Sequence, residues 1–387
     1  MNNRYIKPGD DVDYDVYNLD TKEHVCSKHI KDDFIINQIK SIGTKGKCDY
    51  CGETLNVVKL HELLKLIIVG IDYLYEDPNE TRFLNKEGLH GFDGDTFDFY
   101  DLWYEDYLGL SINDVKLSED IYGYLKNEGL YCSKDEYVSE SDYLTDSWSH
   151  FKNTVKHKAR FVFYFSDIFS GFNLMNPISM LEKVQDSILE YNLITSLNRN
   201  SILYRCRQHK TKEEVNLDKQ LASAPTSVSK SNGRMNPAGI SVFYCSKSKD
   251  LTVKEVVDYS DEERPFYTTG IFRNHEELRL VDLTNLPERS SIFDEKNNSK
   301  IDTIIFLRGF IDDIVKPVKS SDSIIEYIPT QIVTEYIRFD PKLNVDGIIY
   351  PSSKDKSLKN IVLFFDHDES LVRLKFSNTS LKTETFL

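Results

Sequence analysis

Residues 202–246 read ILYRCRQHKTKEEVNLDKQLASAPTSVSKSNGRMNPAGISVFYCS. Two short runs rich in branched and aromatic side chains, ILYRCR (202–207) and ISVFYCS (240–246), bracket a polar loop that ends in a Gly/Asn/Pro turn. Runs of this length between turn residues read as strands. More follow: LRLVDL (278–283), TIIFLRGF (303–310), GIIYPSS (347–353), NIVLFFD (360–366) and VRLKF (372–376), interrupted by helix-patterned segments at 251–260 and 329–340. The pattern predicts an α+β domain over residues 200–387.

Upstream the texture is helical. In residues 57–76, Val58, Leu60, Leu63, Leu64, Ile67, Ile68, Ile71 and Leu74 recur at the three-to-four spacing of one helix face. Helical patterns also cover 112–128, 147–170 and 177–199, the last with Pro177 placed as a first-turn proline. Residues 57–199 are therefore expected to form a mostly α-helical domain. Residues 21–56 form a Cys/His-rich knuckle, and residues 1–20 a polar tail or edge strand.

The whole chain has 387 residues, which at ~100–200 residues per domain suggests two or three domains. Hydrophobic residues are 40% and charged residues 29%, enough apolar content for a sizeable core. Lys and Arg number 48 against 63 Asp and Glu, a net charge of -15, which disfavours general binding to a phosphate backbone. The longest apolar stretch, Leu63 to Ile71, contains Lys65 and is too short to span a bilayer. Met1 to Asp20 has no apolar leader-like core. The expectation is a cytoplasmic chain whose thiols stay reduced.

The cysteines then need another use. Cys26 and His29 form a C-x2-H pair, and Cys48 and Cys51 a C-x2-C pair followed by Gly52, with eighteen residues between the pairs. Two close-spaced knuckles joined by a loop of that size suit tetrahedral Zn2+ held by three thiolates and one imidazole. Four protein ligands leave no open position, so the expected zinc is structural. His24 and His61 are neighbouring alternatives to His29.

In the second half, Arg205 and Arg207 alternate along one strand and so share a face. Arg234 sits in the Gly/Asn/Pro turn, Tyr244 lies on the next strand, Glu255 on the following helix, and Ser352 at the end of a later strand. A loop-held guanidinium can grip a pyrophosphate with paired donors. Arginines, an aromatic ring, a carboxylate and a serine gathered from strand ends would suit a dinucleotide with a cationic leaving group. Each also has a structural reading: surface ion pairing for the arginines, core packing for the tyrosine, a solvated helix face for the glutamate, a turn cap for the serine.

The ordered set resembles the RES domain family, whose members look like ADP-ribosyltransferase-fold toxins acting on NAD+. The resemblance rests on L-Y-R-x-R at 203–207, G-R-x-N-P-x-G-x-x-x-x-Y at 233–244, Glu255, and G-I-x-Y-x-S at 347–352, and Tyr327 to Arg338 also fits. It implies that Arg205, Arg207, Arg234 and Tyr244 bind the dinucleotide and that Arg234, Tyr244, Glu255 and Ser352 are catalytic. The roles of Arg205 and Arg207 could be exchanged, as could those of Ser352 and Ser353, and Met235 stands where the family is often aromatic. The implied activity is cleavage of the nicotinamide–ribose bond of NAD+ by hydrolysis, phosphorolysis or ADP-ribosyl transfer, in a toxin–antitoxin or defence setting. An inhibitory antitoxin protein and a homodimer through the helical domain are the implied partners.

The knuckle followed by helices is similar to the HEPN/RES N-terminal module. HEPN ribonucleases use R-x4–6-H, which is not found: seven residues separate Arg82 from His90, and His157 precedes Arg160. Ribonuclease activity is thus disfavoured. The other reading weighed against an enzyme is a sensor that binds NAD+ or ADP-ribose and signals through the helical domain.

Overall fold

The computed structural model describes residues 20–78, 95–105, 107–127, 129–134, 140–163, 174–225, 227, 229, 232–319, 322–355 and 357–386. The chain divides into two compact units, one of residues 1–142 with 288–305 and one of residues 143–287 with 306–387. Residues 1–19 of the expected tail, residues 79–94 of the acidic aromatic stretch, which contain Arg82 and His90, and residues 164–170 of the helix expected at 147–170 lie outside the described residues.

The first unit begins with a three-stranded antiparallel sheet ordered β1 (His24–Cys26), β3 (Thr54–Lys59), β2 (Thr44–Lys47). Helix α1 (Asp33–Ile42) starts where the Asp32 carboxylate accepts from the Ile35 N–H at 2.9 Å. Helix α2 (Leu60–Leu74) follows β3 directly and buries Leu60, Leu63, Leu64, Ile67, Ile68 and Ile71, as the spacing predicts. Gly70 on the same face admits the ring of Phe293, which stands where a Cβ would project. Helices α3 (Phe99–Tyr104) and α4 (Val115–Leu125), capped by Asp98 and Asp114, add Phe99, Leu102, Leu117, Ile121 and Leu125 to this core. A two-stranded ladder of β4 (Tyr75–Glu76) and β5 (Cys132–Ser133) completes the described part.

The second unit opens with α5 (Glu140–His157) and α6 (Pro177–Glu190). Its sheet comprises β6 (Ile194–Leu197), β7 (Ile202–His209), β8 (Phe243–Ser246), β9 (Phe266–Asn274), β10 (Leu278–Asp282), β11 (Gly347–Pro351), β12 (Lys359–Leu363), β13 (Leu374–Phe376) and β14 (Lys382–Thr385). The order is β13-β9-β7-β8-β12-β11-β10-β6, and β14 also pairs with β9. Only β10 and β11 run parallel; the other pairs are antiparallel. Alternate side chains face two cores. Ile348, Tyr350, Val362 and Phe364 meet one face's helices, while Ile349, Ile361, Leu363 and Phe365 meet Leu203, Phe243 and Phe272 on the other. Short helices α7 (Asp218–Leu221) and α8 (Lys249–Val256) sit in the connections after β7 and β8.

One expectation changes here. TIIFLRGF (303–310) is not a strand but the middle of α9 (Ile301–Val315). A continuous apolar run reads alike as a buried strand or a buried helix. Ile304, Leu307, Ile311 and Ile314, together with Phe306 and Phe310, are buried at helical spacing. The predicted boundary near 198–202 differs from the observed division between residues 142 and 143. Trp148, Phe151, Val155, Met180, Leu181, Val184 and Ile188 place the apolar faces of α5 and α6 in the same core as Val281, Ile348 and Val362. Helix α6 stops at Glu190, and Asn192, with φ 51, turns the chain into β6. The last helices, α10 (Ser323–Glu326), α11 (Ile328–Phe339) and α12 (His367–Arg373), flank β11 and β12 in sequence.

Candidate functional site

Strands β7 and β8 pair at Tyr204 and Ser246 and nowhere else among the described residues. Beyond that point the guanidinium of Arg205 takes the place of a ladder bond. Its Nη1 donates to the Tyr244 carbonyl at 2.9 Å, its Nη2 donates to the Ala222 carbonyl at 3.2 Å, and it lies 4.5 Å from the centre of the Phe243 ring. Burial pulls its pKa down to about 10, so it stays cationic at neutral pH. A cavity of about 330 Å3 opens here, lined by Arg205, Arg234, Tyr244, Glu255, Tyr327 and Asn360 among others. That volume falls in the range of small-molecule sites.

Arg234 enters from the turn before β8. Its Nη1 donates to the carbonyls of Ile314 and Lys316, the latter at 3.0 Å, and its guanidinium lies over the Tyr327 ring at 5.0 Å. Among the described residues, Nη2 and Nε of Arg234 make no hydrogen bond, so these donors remain for a ligand. The turn is held by Tyr244, whose hydroxyl donates to Asn236 Oδ1 at 2.8 Å and accepts from the Met235 N–H at 2.9 Å. Burial raises the Tyr244 phenol above its ordinary range, which keeps it a donor. Gly233 is packed against this arrangement: a Cβ there would meet Asn236 Oδ1 and stand 2.6 Å from the Tyr244 hydroxyl. Gly233→Ala is therefore expected to cost about 1–3 kcal/mol through overpacking. Urea unfolding should show a lower midpoint at unchanged slope.

Glu255 comes from the last turn of α8. That helix starts at Ser248, whose side chain accepts from the Leu251 N–H at 3.3 Å, and it is seated by buried Leu251 and Thr252. Glu255 Oε1 accepts from Ser352 Oγ and from Asn360 Nδ2, the latter at 3.0 Å. Ser352 is 0% exposed, so it is this serine, not the half-buried Ser353, that meets the glutamate. It stands behind Glu255 and is not among the residues lining the cavity. Cys206 and Cys245 also line it, but burial pushes both thiols up to about 12, so neither is a thiolate nucleophile at neutral pH.

In the first unit, Cys26, His29, Cys48 and Cys51 converge, their donor atoms all within 4.8 Å of one another. Cys26 and Cys51 sulfurs are 3.7 Å apart, and Cys48 Sγ lies 3.4 Å from His29 Nε2. Metal–sulfur bonds of ~2.3 Å and metal–nitrogen bonds of ~2.0 Å give tetrahedral edges of ~3.5–3.8 Å, so the four donors fit one ion. His29 Nδ1 faces Asp114 Oδ2 at 3.8 Å, which leaves Nε2 for the metal. The alternative histidines are engaged elsewhere: His24 with Asp49, and His61 with Thr21 and Glu62.

Compared with known protein families, residues 202–381 match the RES domain, and residues 41–168 match HEPN/RES N-terminal domain 1. Residues 202–381 are thus a RES domain, preceded by a HEPN/RES N-terminal domain at 41–168. As a family, RES domains are associated with toxin-like, NAD-utilising activity. No curated protein matches the chain at a significant level.

Within the RES domain the structure brings Arg205, Arg234, Tyr244 and Glu255 to one cavity, with Ser352 bonded to Glu255. It separates Arg205 from Arg207. Arg207 is exposed, donates to the Gln220 carbonyl at 2.8 Å, pairs with Glu214 at 3.2 Å, and lines a second cavity of about 440 Å3 that also touches Arg205. The sequence reading missed Tyr327, Tyr350 and Asn360 as lining residues. Asn360 heads the apolar run NIVLFF after Lys359, and nothing in the sequence ties it to Glu255.

Proposed function

We propose that this RES-domain chain cleaves the nicotinamide–ribose bond of NAD+. The observation that carries the reading is the meeting of a carboxylate, Glu255, with two guanidinium groups, Arg205 and Arg234, in one cavity of a net acidic protein. Attached nicotinamide is cationic and leaves neutral, so the reaction needs little acid help. The protein's task is to bind the diphosphate and stabilise an oxocarbenium-like sugar. Arg234 offers its uncommitted donors to phosphate. Arg205, fixed by two carbonyls, supplies a positive field beside it. The Tyr244 ring gives a packing surface for nicotinamide or ribose. Glu255 stabilises the positive charge that develops at the anomeric carbon or orients the nucleophile, and Ser352 holds Glu255. Arg207 and the second cavity suit the remainder of the dinucleotide. The open seam between β7 and β8 is consistent with a fold of the ADP-ribosyltransferase type.

Zinc is the metal we assign to Cys26, His29, Cys48 and Cys51, because three thiolates and an imidazole in a closed set are its usual structural ligands. Unchecked NAD+ loss is toxic, so an inhibitory antitoxin protein, with the chain acting in the cytoplasm and dimerising through its N-terminal region, completes the reading.

The test is incubation of purified protein with NAD+ and measurement of free nicotinamide, with and without inorganic phosphate. Release supports the enzyme, and the products identify water, phosphate or protein as acceptor. Binding of NAD+ without release would instead make the domain a sensor.

A further inference from the structure

Glu255 receives two hydrogen bonds, and both end on the same oxygen. Ser352 Oγ and Asn360 Nδ2 donate to Oε1, and among the described residues no donor reaches Oε2. The direction of each bond follows from its surroundings. Ser352 Oγ accepts the N–H groups of Lys354 at 3.0 Å and Asp355 at 3.2 Å, so its own proton is what it has left to give. The Asn360 amide cannot be reversed without setting its carbonyl oxygen against the carboxylate.

The two donors are also fixed in place. Asn360 lies within the sheet, opposite Tyr350 on β11 and Ser246 on β8, and is 8% exposed. Ser352 follows β11, its N–H bonded to the Leu358 carbonyl at 3.0 Å. A glutamate on the last turn of a short helix has three rotors to settle. Two rigid donors on one oxygen settle the carboxylate plane and leave its other oxygen without a protein donor among the described residues.

We propose that Asn360 is a positioning residue for Glu255: with Ser352 it clamps Oε1 and so presents Oε2 as the oxygen that meets the sugar of the bound dinucleotide. The inference rests on the reading of Glu255 as the group beside the anomeric carbon. Nothing in the family match assigns a role to this asparagine.

The experiment compares full-length wild type, Asn360→Asp and Asn360→Leu by nicotinamide release from NAD+ across about pH 8 to about pH 5, with near-UV circular dichroism to confirm the fold. Asn360→Asp keeps the shape and loses the donor. At the alkaline end its kcat should fall by about 10²-fold, the size of effect that misplacing a catalytic group produces, with KM for NAD+ within about twofold of wild type. The ratio of its kcat to wild type should rise as the pH is lowered, because the introduced carboxyl, once protonated, can donate to Oε1 again. Asn360→Leu should show the same loss without that recovery. Two results overturn the proposal: a folded Asn360→Leu with wild-type kcat, or losses in both variants that are equal at every pH. Wild type that binds NAD+ but releases no nicotinamide removes the underlying function and the proposal with it, an outcome distinct from either.

Discussion

Glu255→Gln should abolish most nicotinamide release while the protein melts as wild type does. The substitution is nearly isosteric, and the amide can turn so that its carbonyl oxygen still accepts from Ser352 and Asn360, the two bonds that hold the side chain. What changes is the group in the position of Oε2: an anionic oxygen becomes a neutral NH2 facing the cavity. An electrostatic contact made chiefly in the transition state is then lost. Removing one such contact typically costs about 10²–10³ in kcat, about 2.7–4 kcal/mol. In the proposed reading the dinucleotide is held through Arg234 and the field of Arg205, so KM for NAD+ should change little. Arg234→Ala makes the contrast, since it removes donors from the ligand and should raise KM. Steady-state kinetics on both variants separates the roles, and full turnover by Glu255→Gln would refute the assignment.

The same carboxylate shows what could be read from sequence. Arg205, Arg234, Tyr244, Glu255 and Ser352 were each visible as members of ordered motifs that resemble those of RES domains. Which of Arg205 and Arg207 enters the cavity was not legible. Period-two alternation puts both on one face, and the choice depends on where β7 parts from β8, a tertiary fact. Ser352 and Ser353 both lie past the end of β11, so strand alternation does not choose between them; the turn that bonds the Ser352 N–H to the Leu358 carbonyl does. Asn360 was hidden because its meaning lies in a partner over a hundred positions away in sequence. The strand expected at 303–310 failed because an apolar run carries no period of its own. The compact units part earlier, between residues 142 and 143, than the change of texture near residue 200. The apolar stripes of α5 and α6 announce that they are buried, but not against which core. His29 is the converse case. Its spacing from Cys26 singled it out among three nearby histidines, and the fold places the other two beside Asp49 and beside Thr21 with Glu62.

Chelating the metal from the full-length protein should loosen the knuckle around Cys26 and Cys48–Gly52 while the sheet of the second unit stays protected from hydrogen exchange. On the metal side little else holds the knuckle together. Strands β1, β2 and β3 have three, four and six residues. The small core beside them consists of Cys26, Cys48 and Val57, with Tyr50 and Leu55 against it, so two of its three buried members are the ligands themselves. The opposite side of the sheet, through Val25 and Val58, joins the core of α1 and α2, so the loss falls first on the knuckle turns that carry the ligands. A structural zinc supplies roughly 10–16 kcal/mol of apparent binding free energy at neutral pH, which becomes folding free energy when the site does not pre-exist. Amides that depend on the knuckle, such as Cys48 N–H to Glu53 O and Gly52 N–H to Cys48 O, should therefore exchange much faster after chelation. Those in the ladder of β11 and β12 belong to a different core and should not change. Acidification should act in the same direction as the chelator, because thiolates and a neutral imidazole must take up protons to release the ion. Cys48→Ser should reproduce the effect without any chelator. Elemental analysis of protein purified without chelators decides the premise: about one zinc per chain is expected, and a metal-free, folded knuckle would sink it.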